Sequence, residues 1–283
     1  METRLSSKTK EVIISDREPT ILVGERINPT RKEKISATLR KGDMSLICKE
    51  ALAQVQAEAD IVDVNIGVAG IDESVVLSQA VWAIMETVDV PLCLDTGNPK
   101  ALEAAFKVYQ GKPLMNSVTE EEHSLETVLP LAKKYGAAVI GSVIDDKGIP
   151  DDPDKRVAIA YKIIERAETL GIPREDIVID CLVQTVGADP KAALVTIETI
   201  RKLKSQLPPN LTIGASNSSF GLSDCDLLNN AFIAIAIASG ATCAIANVAH
   251  VRPIVLATNL LMGRDKYVRR YIEAYRQHQK QQK

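Results

Sequence analysis

Eight short β-branched runs recur along the 283 residues, with longer segments of helical periodicity between them. They begin near Thr20 (TILVGERIN), Ile61 (IVDVNIG), Leu92 (LCLDT), Leu114 (LMNSVT), Ala138 (AVIGSV), Ile177 (IVIDCLV), Thr212 (TIGASN) and Cys243 (CAIANV). Consecutive starts lie between 22 residues (Leu92 to Leu114) and 41 residues (Thr20 to Ile61) apart. Each interval holds one strand, one helix and two loops. Eight alternating units have two main solutions, a closed (β/α)8 barrel or an open doubly wound sheet. The even repeat favours the barrel, and no Gly-x-Gly-x-x-Gly follows the first strand. The expected fold is α/β: a single-domain (β/α)8 TIM barrel over residues 20–283 with a terminal amphipathic helix at 263–283. Residues 1–19, polar and mixed in charge, are expected to form an N-terminal arm.

The segments between the runs support this layout. In Ser45–Asp60 the apolar residues Leu46, Ala53 and Ala57 fall on one stripe, as do Leu102, Ala105 and Phe106 in Pro99–Tyr109. Asp154–Leu170 carries Val157, Ala160, Ile164 and Ala167. Asn98-Pro99 and Asp189-Pro190 suit an N-cap followed by the first helical residue. Gly136, Gly171 and Gly240 stand where a helix-terminating glycine is expected.

Composition excludes several partners. A formal net charge of −3 argues against a nucleic-acid scaffold, and 4% aromatics leave few stacking platforms for bases. The longest apolar stretch, around Ala231–Ala238, is shorter than the roughly 20 residues that span a bilayer, and Met1–Lys10 lacks the apolar core of a signal peptide. A cytoplasmic protein with no membrane partner is expected. The five cysteines (48, 93, 181, 225 and 243) form no Cys-x-x-Cys pair and suit reduced thiols, mostly buried.

In a barrel of this kind, chemistry gathers at the C-terminal ends of the strands. Those ends carry Glu25 and Asn28, Asp63 and Asn65, Asp95 and Asn98, Asn116 and Ser117, Ser142 and Asp145, Asp180 and Gln184, Ser216 and Asn217, and Asn247. No lysine stands among them, which disfavours Schiff-base chemistry. The three histidines (123, 250 and 278) form no His-x-His pair, so a structural or solvated role is expected for each and no bound metal. Carboxylates and amides converging without a metal suit a ligand edge rich in donors and acceptors. A pterin has one: its N3–H and 2-amino group present two donors to a carboxylate, and its other edge atoms ask for amides. Turn or cap chemistry accounts for any one of these residues alone. It accounts less well for Asp95, Asn116, Asp180 and Asn217, each ending a different strand.

At these residues the chain resembles a known family. The motifs are Gly24-Glu25-Arg26-Ile27-Asn28, Asp63-Val64-Asn65-Ile66-Gly67, Leu92–Asn98, Met115-Asn116-Ser117, Ile179-Asp180 before Val186-Gly187-Ala188-Asp189, and Gly214–Leu222 before Leu228-Asn229. In order and spacing, from about Thr20 to about Arg270, they are similar to the pterin-binding methyltransferases that act on methyltetrahydrofolate and a corrinoid protein. The folate domain of cobalamin-dependent methionine synthase and, more distantly, dihydropteroate synthase are related. The resemblance implies a barrel, a homodimer, and tetrahydrofolate or methyltetrahydrofolate as substrate. It implies cobalamin on a separate corrinoid protein, since no Asp-x-His-x-x-Gly signature is present. Asp95, Asn116 and Asp180 would hold the pterin, Asp63 and Ser216 would line the pocket, and Asn217 would face N5.

The chain departs from the family in two places. After Phe220-Gly221-Leu222 the family continues with a proline and a basic residue, where this chain has Ser223-Asp224-Cys225-Asp226. Thr242 replaces an acidic residue before the eighth strand. Methyl transfer in either direction is the expected activity. A dihydropteroate synthase-like condensing enzyme and a non-catalytic pterin-binding subunit are the alternatives.

Overall fold

The eight runs are eight parallel strands of one barrel in the computed structural model, which describes residues 1–30 and 32–281 apart from the side chains at 278, 280 and 281. Two short strands come first: β1 (Glu2–Ser6) and β2 (Glu11–Ser15) pair antiparallel as a hairpin. The barrel strands follow as β3 (Ile21–Ile27), β4 (Ile61–Val64), β5 (Leu92–Asp95), β6 (Leu114–Val118), β7 (Ala138–Ser142), β8 (Ile177–Asp180), β9 (Asn210–Thr212) and β10 (Cys243–Ala246). Each pairs in parallel with its sequence neighbour from β3 to β9, and β10 pairs with β3. The seam between β9 and β10 closes through a parallel bridge between Gly214 and Ile245. The Thr242 hydroxyl, fully buried, accepts the Leu211 N–H at 3.0 Å there. The residue that departs from the family thus ties the two strands together.

Helices wrap the barrel: α1 (Glu33–Arg40), α2 (Ser45–Gln56), α3 (Glu73–Met85), α4 (Pro99–Val108), α5 (Glu122–Tyr135), α6 (Pro153–Thr169), α7 (Ala192–Gln206), α8 (Cys225–Ser239) and α9 (Val248–Leu261), then α10 (Arg269–Gln281) at the C-terminus. Asn98 caps α4, its side chain accepting from the N–H groups of Lys100 and Ala101, with Pro99 in the first turn. Gly136 ends α5 at φ +67°, a conformation that a Cβ disfavours. The Asp189-Pro190 expectation is displaced: Asp189 accepts the Lys191 N–H at 2.9 Å in a local turn, and α7 begins at Ala192.

The stripes on α4 and α6 are buried as expected. The face of α2 is corrected. Its buried residues are Ile47, Ala51 and Gln54, whereas Leu46 and Ala57 are partly buried and Ala53 is exposed. The cause is a polar residue turned inward. Gln54 Oε1 accepts the Arg26 N–H at 2.8 Å, beside the place where a Cβ on Gly24 would collide with the same amide. A pattern that counts only apolar residues gives Gln54 to solvent.

Residues 1–19, expected as an arm, carry the hairpin. Leu5, Val12 and Ile14 are buried and join Val23, Ile61, Cys93, Leu114 and Val178 in one cluster inside the barrel. A larger apolar shell lies between strands and helices. Asn210 on β9 donates to the Ile14 carbonyl at 2.8 Å and to the Thr3 hydroxyl at 2.9 Å. The hairpin therefore plugs the N-terminal end of the barrel and leaves the C-terminal end as the open mouth. Cys93, Cys181 and Cys243 are buried and free, with thiol pKa values pushed up by burial. Among the described residues no helix is long and apolar enough to cross a membrane.

Candidate functional site

Side chains alternate across a strand, so every second residue of a barrel strand faces the interior. The interior sequence runs Ile21, Val23, Glu25 on β3 and Ile61, Asp63, Asn65 on and after β4. It runs Cys93, Asp95 on β5; Leu114, Asn116 on β6; and Ala138, Ile140, Ser142 on β7. On β8 it is Val178, Asp180, and on β10 Cys243, Ile245, Asn247. Each of these seven strands is thus apolar toward the plugged end and polar toward the mouth. After β9 the polar position falls to Gly214, and the vacated space admits Asn217, whose Nδ2 lies 3.0 Å from where a Cβ would stand.

Contacts between different strands join several of the expected residues across the mouth. Asn116 Nδ2 lies 3.4 Å from Asp63 Oδ1, and Asn65 Nδ2 donates to Asp95 Oδ2 at 2.9 Å. Ser216, after β9, donates to Glu25 Oε1 on β3 at 2.5 Å, past β10, which lies between the two strands. Asp180 accepts the Leu182 N–H at 2.9 Å. Asn217 is exposed and donates its backbone N–H to the Gly214 carbonyl at 3.2 Å. Among the described residues, no side-chain hydrogen bond links Asp180 or Asn217 to the other expected residues.

The carboxyls, buried at Asp63 and Asp180 and half-buried at Asp95 and Glu25, are placed to favour ligand donors. Asp63 is 3% exposed; burial and then the Asp95 charge push its pKa well up. Asp95 is raised by burial and by Glu73, against the Asn65 hydrogen bond. Burial raises Asp180 to about 6, opposed by the Leu182 N–H and the Arg156 charge. Glu25 is raised by burial, opposed by Ser216, Lys32 and the Asn247 N–H. Carboxyls so desolvated gain most from N–H donors that a ligand can bring. The Asn247 side-chain oxygen adds a buried acceptor without a partner.

The family model for pterin binding enzymes matches residues 24–247, which begin in β3 and end just after β10. The chain belongs to the pterin-binding enzymes. This pterin-binding enzyme is 29% identical over 267 residues to the methylcorrinoid:tetrahydrofolate methyltransferase of Eubacterium limosum, covering 91% of this chain and 96% of that one. It is 25% identical over 266 residues to the methionine synthase of Mycobacterium leprae, covering 89% of this chain but 22% of that longer protein. Among solved structures, a Yersinia pestis DHPS with a pterine-sulfa conjugate superposes with a TM-score of 0.69 at 17% identity, over 93% of this chain and 99% of that one. That likeness is one of fold.

Several residues of this pterin-binding enzyme gain their importance only from the fold. Glu73, in the first turn of α3, accepts from the Thr96 hydroxyl at 2.6 Å and from the Asn98 amide at 3.2 Å, and so holds the loop after β5. Arg156, on α6, holds the residues after β8. Glu25, Asn65 and Asn247 stand at expected strand ends, and their partners come from neighbouring strands. In the divergent segment Asp224 adopts φ +54° ahead of α8, and Asp226 meets His250 at 2.9 Å. Among the described residues, no group of three or more His, Cys, Asp or Glu could hold a metal ion. The His278 side chain lies outside them.

Proposed function

We propose that this pterin-binding enzyme moves a methyl group between N5 of methyltetrahydrofolate and the cobalt of a corrinoid carried by a separate protein. The observation that carries the reading is a pair of carboxyls, half-buried Asp95 and buried Asp180, each at the mouth end of its own strand. In this reading they accept from the pterin N–H edge, Asn116 matches its donors and acceptors, and Asp63 and Ser216 line the pocket. The methyltransferase from Eubacterium limosum supports the reading, since the two chains match over nearly their whole lengths.

Asn217 is assigned to N5. Its side chain stands at the mouth beside Gly214, and an amide N–H there donates to a nitrogen that must accept charge as the methyl group leaves. The amide does not titrate, so it stabilises the change without supplying the proton. The corrinoid, brought by its carrier, supplies the cobalt that exchanges the methyl group. The remaining contribution of this chain is to hold the pterin in line with it. A cytoplasmic homodimer belongs to the same proposal, with exposed Leu261, Tyr267 and Tyr275 as apolar surface available for pairing.

A condensing reaction with a diphosphate leaving group asks for cations at the mouth. Arg26, the main candidate, is engaged by Glu50 through two hydrogen bonds of 2.7 and 3.2 Å. The test incubates the protein with methyl-labelled methyltetrahydrofolate and free Co(I) cobalamin. Label should move to cobalt. No movement, together with dihydropteroate formed from p-aminobenzoate and a pterin diphosphate, would replace this reading with the condensing one.

A further inference from the structure

Methyl transfer at N5 exchanges a proton, and Asn217 cannot hold one. We infer that Glu25 holds that proton and passes it between solvent and N5 through the Ser216 hydroxyl. The inference rests on the methyl-transfer reading and goes beyond it by naming the acid.

The geometry is specific. Glu25 occupies the mouth position of β3, facing the barrel interior, and Ser216 donates to its Oε1. Ser216 immediately precedes Asn217 in the short 3₁₀ turn Ala215–Asn217, so the hydroxyl bonded to Glu25 and the amide assigned to N5 share one turn. Gly214 keeps the space below that turn free of a Cβ. Solvent reaches the turn, because Ser216 is half-buried and Asn217 exposed.

The surroundings suit a carboxyl that gains and loses its proton. From the loop before α1, the Lys32 ammonium faces Glu25, but it also donates to the Arg26 carbonyl at 2.9 Å, and burial lowers its pKa. From β4, Asp63 contributes a like charge. From the end of β10 the Asn247 N–H faces Glu25 and favours its ionised form, and from the turn after β9 Ser216 donates to it. On β3 itself, Arg26 is turned to Glu50. Burial, which opposes these donors, favours the neutral acid.

The relay balances as follows. With Glu25 ionised, Ser216 donates to it. With Glu25 protonated, the carboxyl donates to Ser216 Oγ, and the hydroxyl hydrogen, still on its oxygen, turns toward the pocket. As the methyl group leaves for cobalt, the C–N bonding pair stays on N5, and the Ser216 proton forms N5–H. The Glu25 proton restores the hydroxyl, leaving a carboxylate that solvent reprotonates. The reverse reaction returns the N5 proton to Glu25.

The test follows single-turnover transfer from saturating methyltetrahydrofolate to free Co(I) cobalamin across pH, with affinity measured separately. The wild-type rate should fall as pH rises through the raised Glu25 pKa. Glu25→Gln should be at least about tenfold slower at the acid end and flat across that interval, with nearly unchanged affinity. Ser216→Ala should behave alike, and Glu25→Asp should restore part of the pH dependence. A Glu25→Gln variant with the wild-type rate and profile would overturn the inference, as would one losing affinity in step with rate. Should Glu25→Gln fail to fold, Ser216→Ala decides, since it removes only the hydroxyl. Wild-type protein that binds methyltetrahydrofolate but transfers nothing would overturn the methyl-transfer reading itself, and this inference with it.

Discussion

The guanidinium of Arg156 donates to the carbonyls of Cys181 at 2.8 Å and Leu182 at 2.7 Å, and so holds the two residues that follow Asp180. Arg156 is fully buried, and its Nε also donates to the Pro150 carbonyl at 2.7 Å. An unbranched apolar replacement leaves the Cys181 and Pro150 carbonyls without that donor, at about 1–3 kcal/mol each when water cannot reach them, while Leu182 keeps the Thr196 hydroxyl at 2.6 Å. Arg156→Met should therefore lose about 3 kcal/mol of stability in a urea melt. Its folded fraction should bind methyltetrahydrofolate more weakly, because the segment carrying the Leu182 N–H that orients Asp180 is then held by Thr196 alone. Unchanged affinity would separate the two roles.

Asp180 links binding to pH. Its folded pKa of about 6 exceeds the ordinary 3.8, so between those values the folded protein keeps a proton that the unfolded chain releases. The group therefore lowers stability above pH 6, and that penalty fades as pH falls toward 4. Asp180→Asn should raise stability at pH 8 by up to about 3 kcal/mol, with a smaller gain at pH 5. The same variant should weaken pterin binding, and wild-type affinity should drop as pH falls through 6. Denaturant melts and titrations at both pH values test this.

Asp95 is proposed to accept from the pterin N–H edge together with Asp180. Removing a charge-assisted acceptor that the ligand covers costs about 1.5–3 kcal/mol, roughly tenfold or more in affinity. Asp95→Ala should show that loss in calorimetric titration with methyltetrahydrofolate. Wild-type affinity in a folded variant would place the pterin elsewhere.

The alternation of β-branched runs and helical segments carries the barrel, because parallel strands buried on both faces leave an uninterrupted apolar signature. The polar residues ending those runs carry the mouth. Less was legible where neighbours decide. The seventh run, beginning near Thr212, is a strand at Asn210–Thr212 followed by a 3₁₀ turn, because Gly214 breaks the extended run and Asn217 fills its place. The inward Gln54 answers a backbone N–H on another element. Arg156, on a buried helix face, carries no signal of its backbone partners in its own sequence neighbourhood. The hairpin was hidden because Leu5, Val12 and Ile14 stand among charged residues that face solvent.

That hairpin should matter for stability and not for ligand affinity. Leu5→Ala removes a fully buried side chain from the plugged end, at a cost of about 2–5 kcal/mol. The variant should melt earlier in urea, while its folded fraction binds methyltetrahydrofolate as tightly as wild type, the pocket lying at the opposite end.

Asn217 bears most directly on the central claim, because its amide is assigned to the bond that changes. The measurement is single-turnover methyl transfer to free Co(I) cobalamin by wild type and Asn217→Ala, with affinity and a denaturant melt on the same preparations. Wild type should transfer. The variant should be slower by about a hundredfold, the effect of removing one preorganised donor, with affinity and melting midpoint nearly preserved. Near-normal transfer by Asn217→Ala with a lowered melting midpoint would contradict the account and reduce Asn217 to a turn residue.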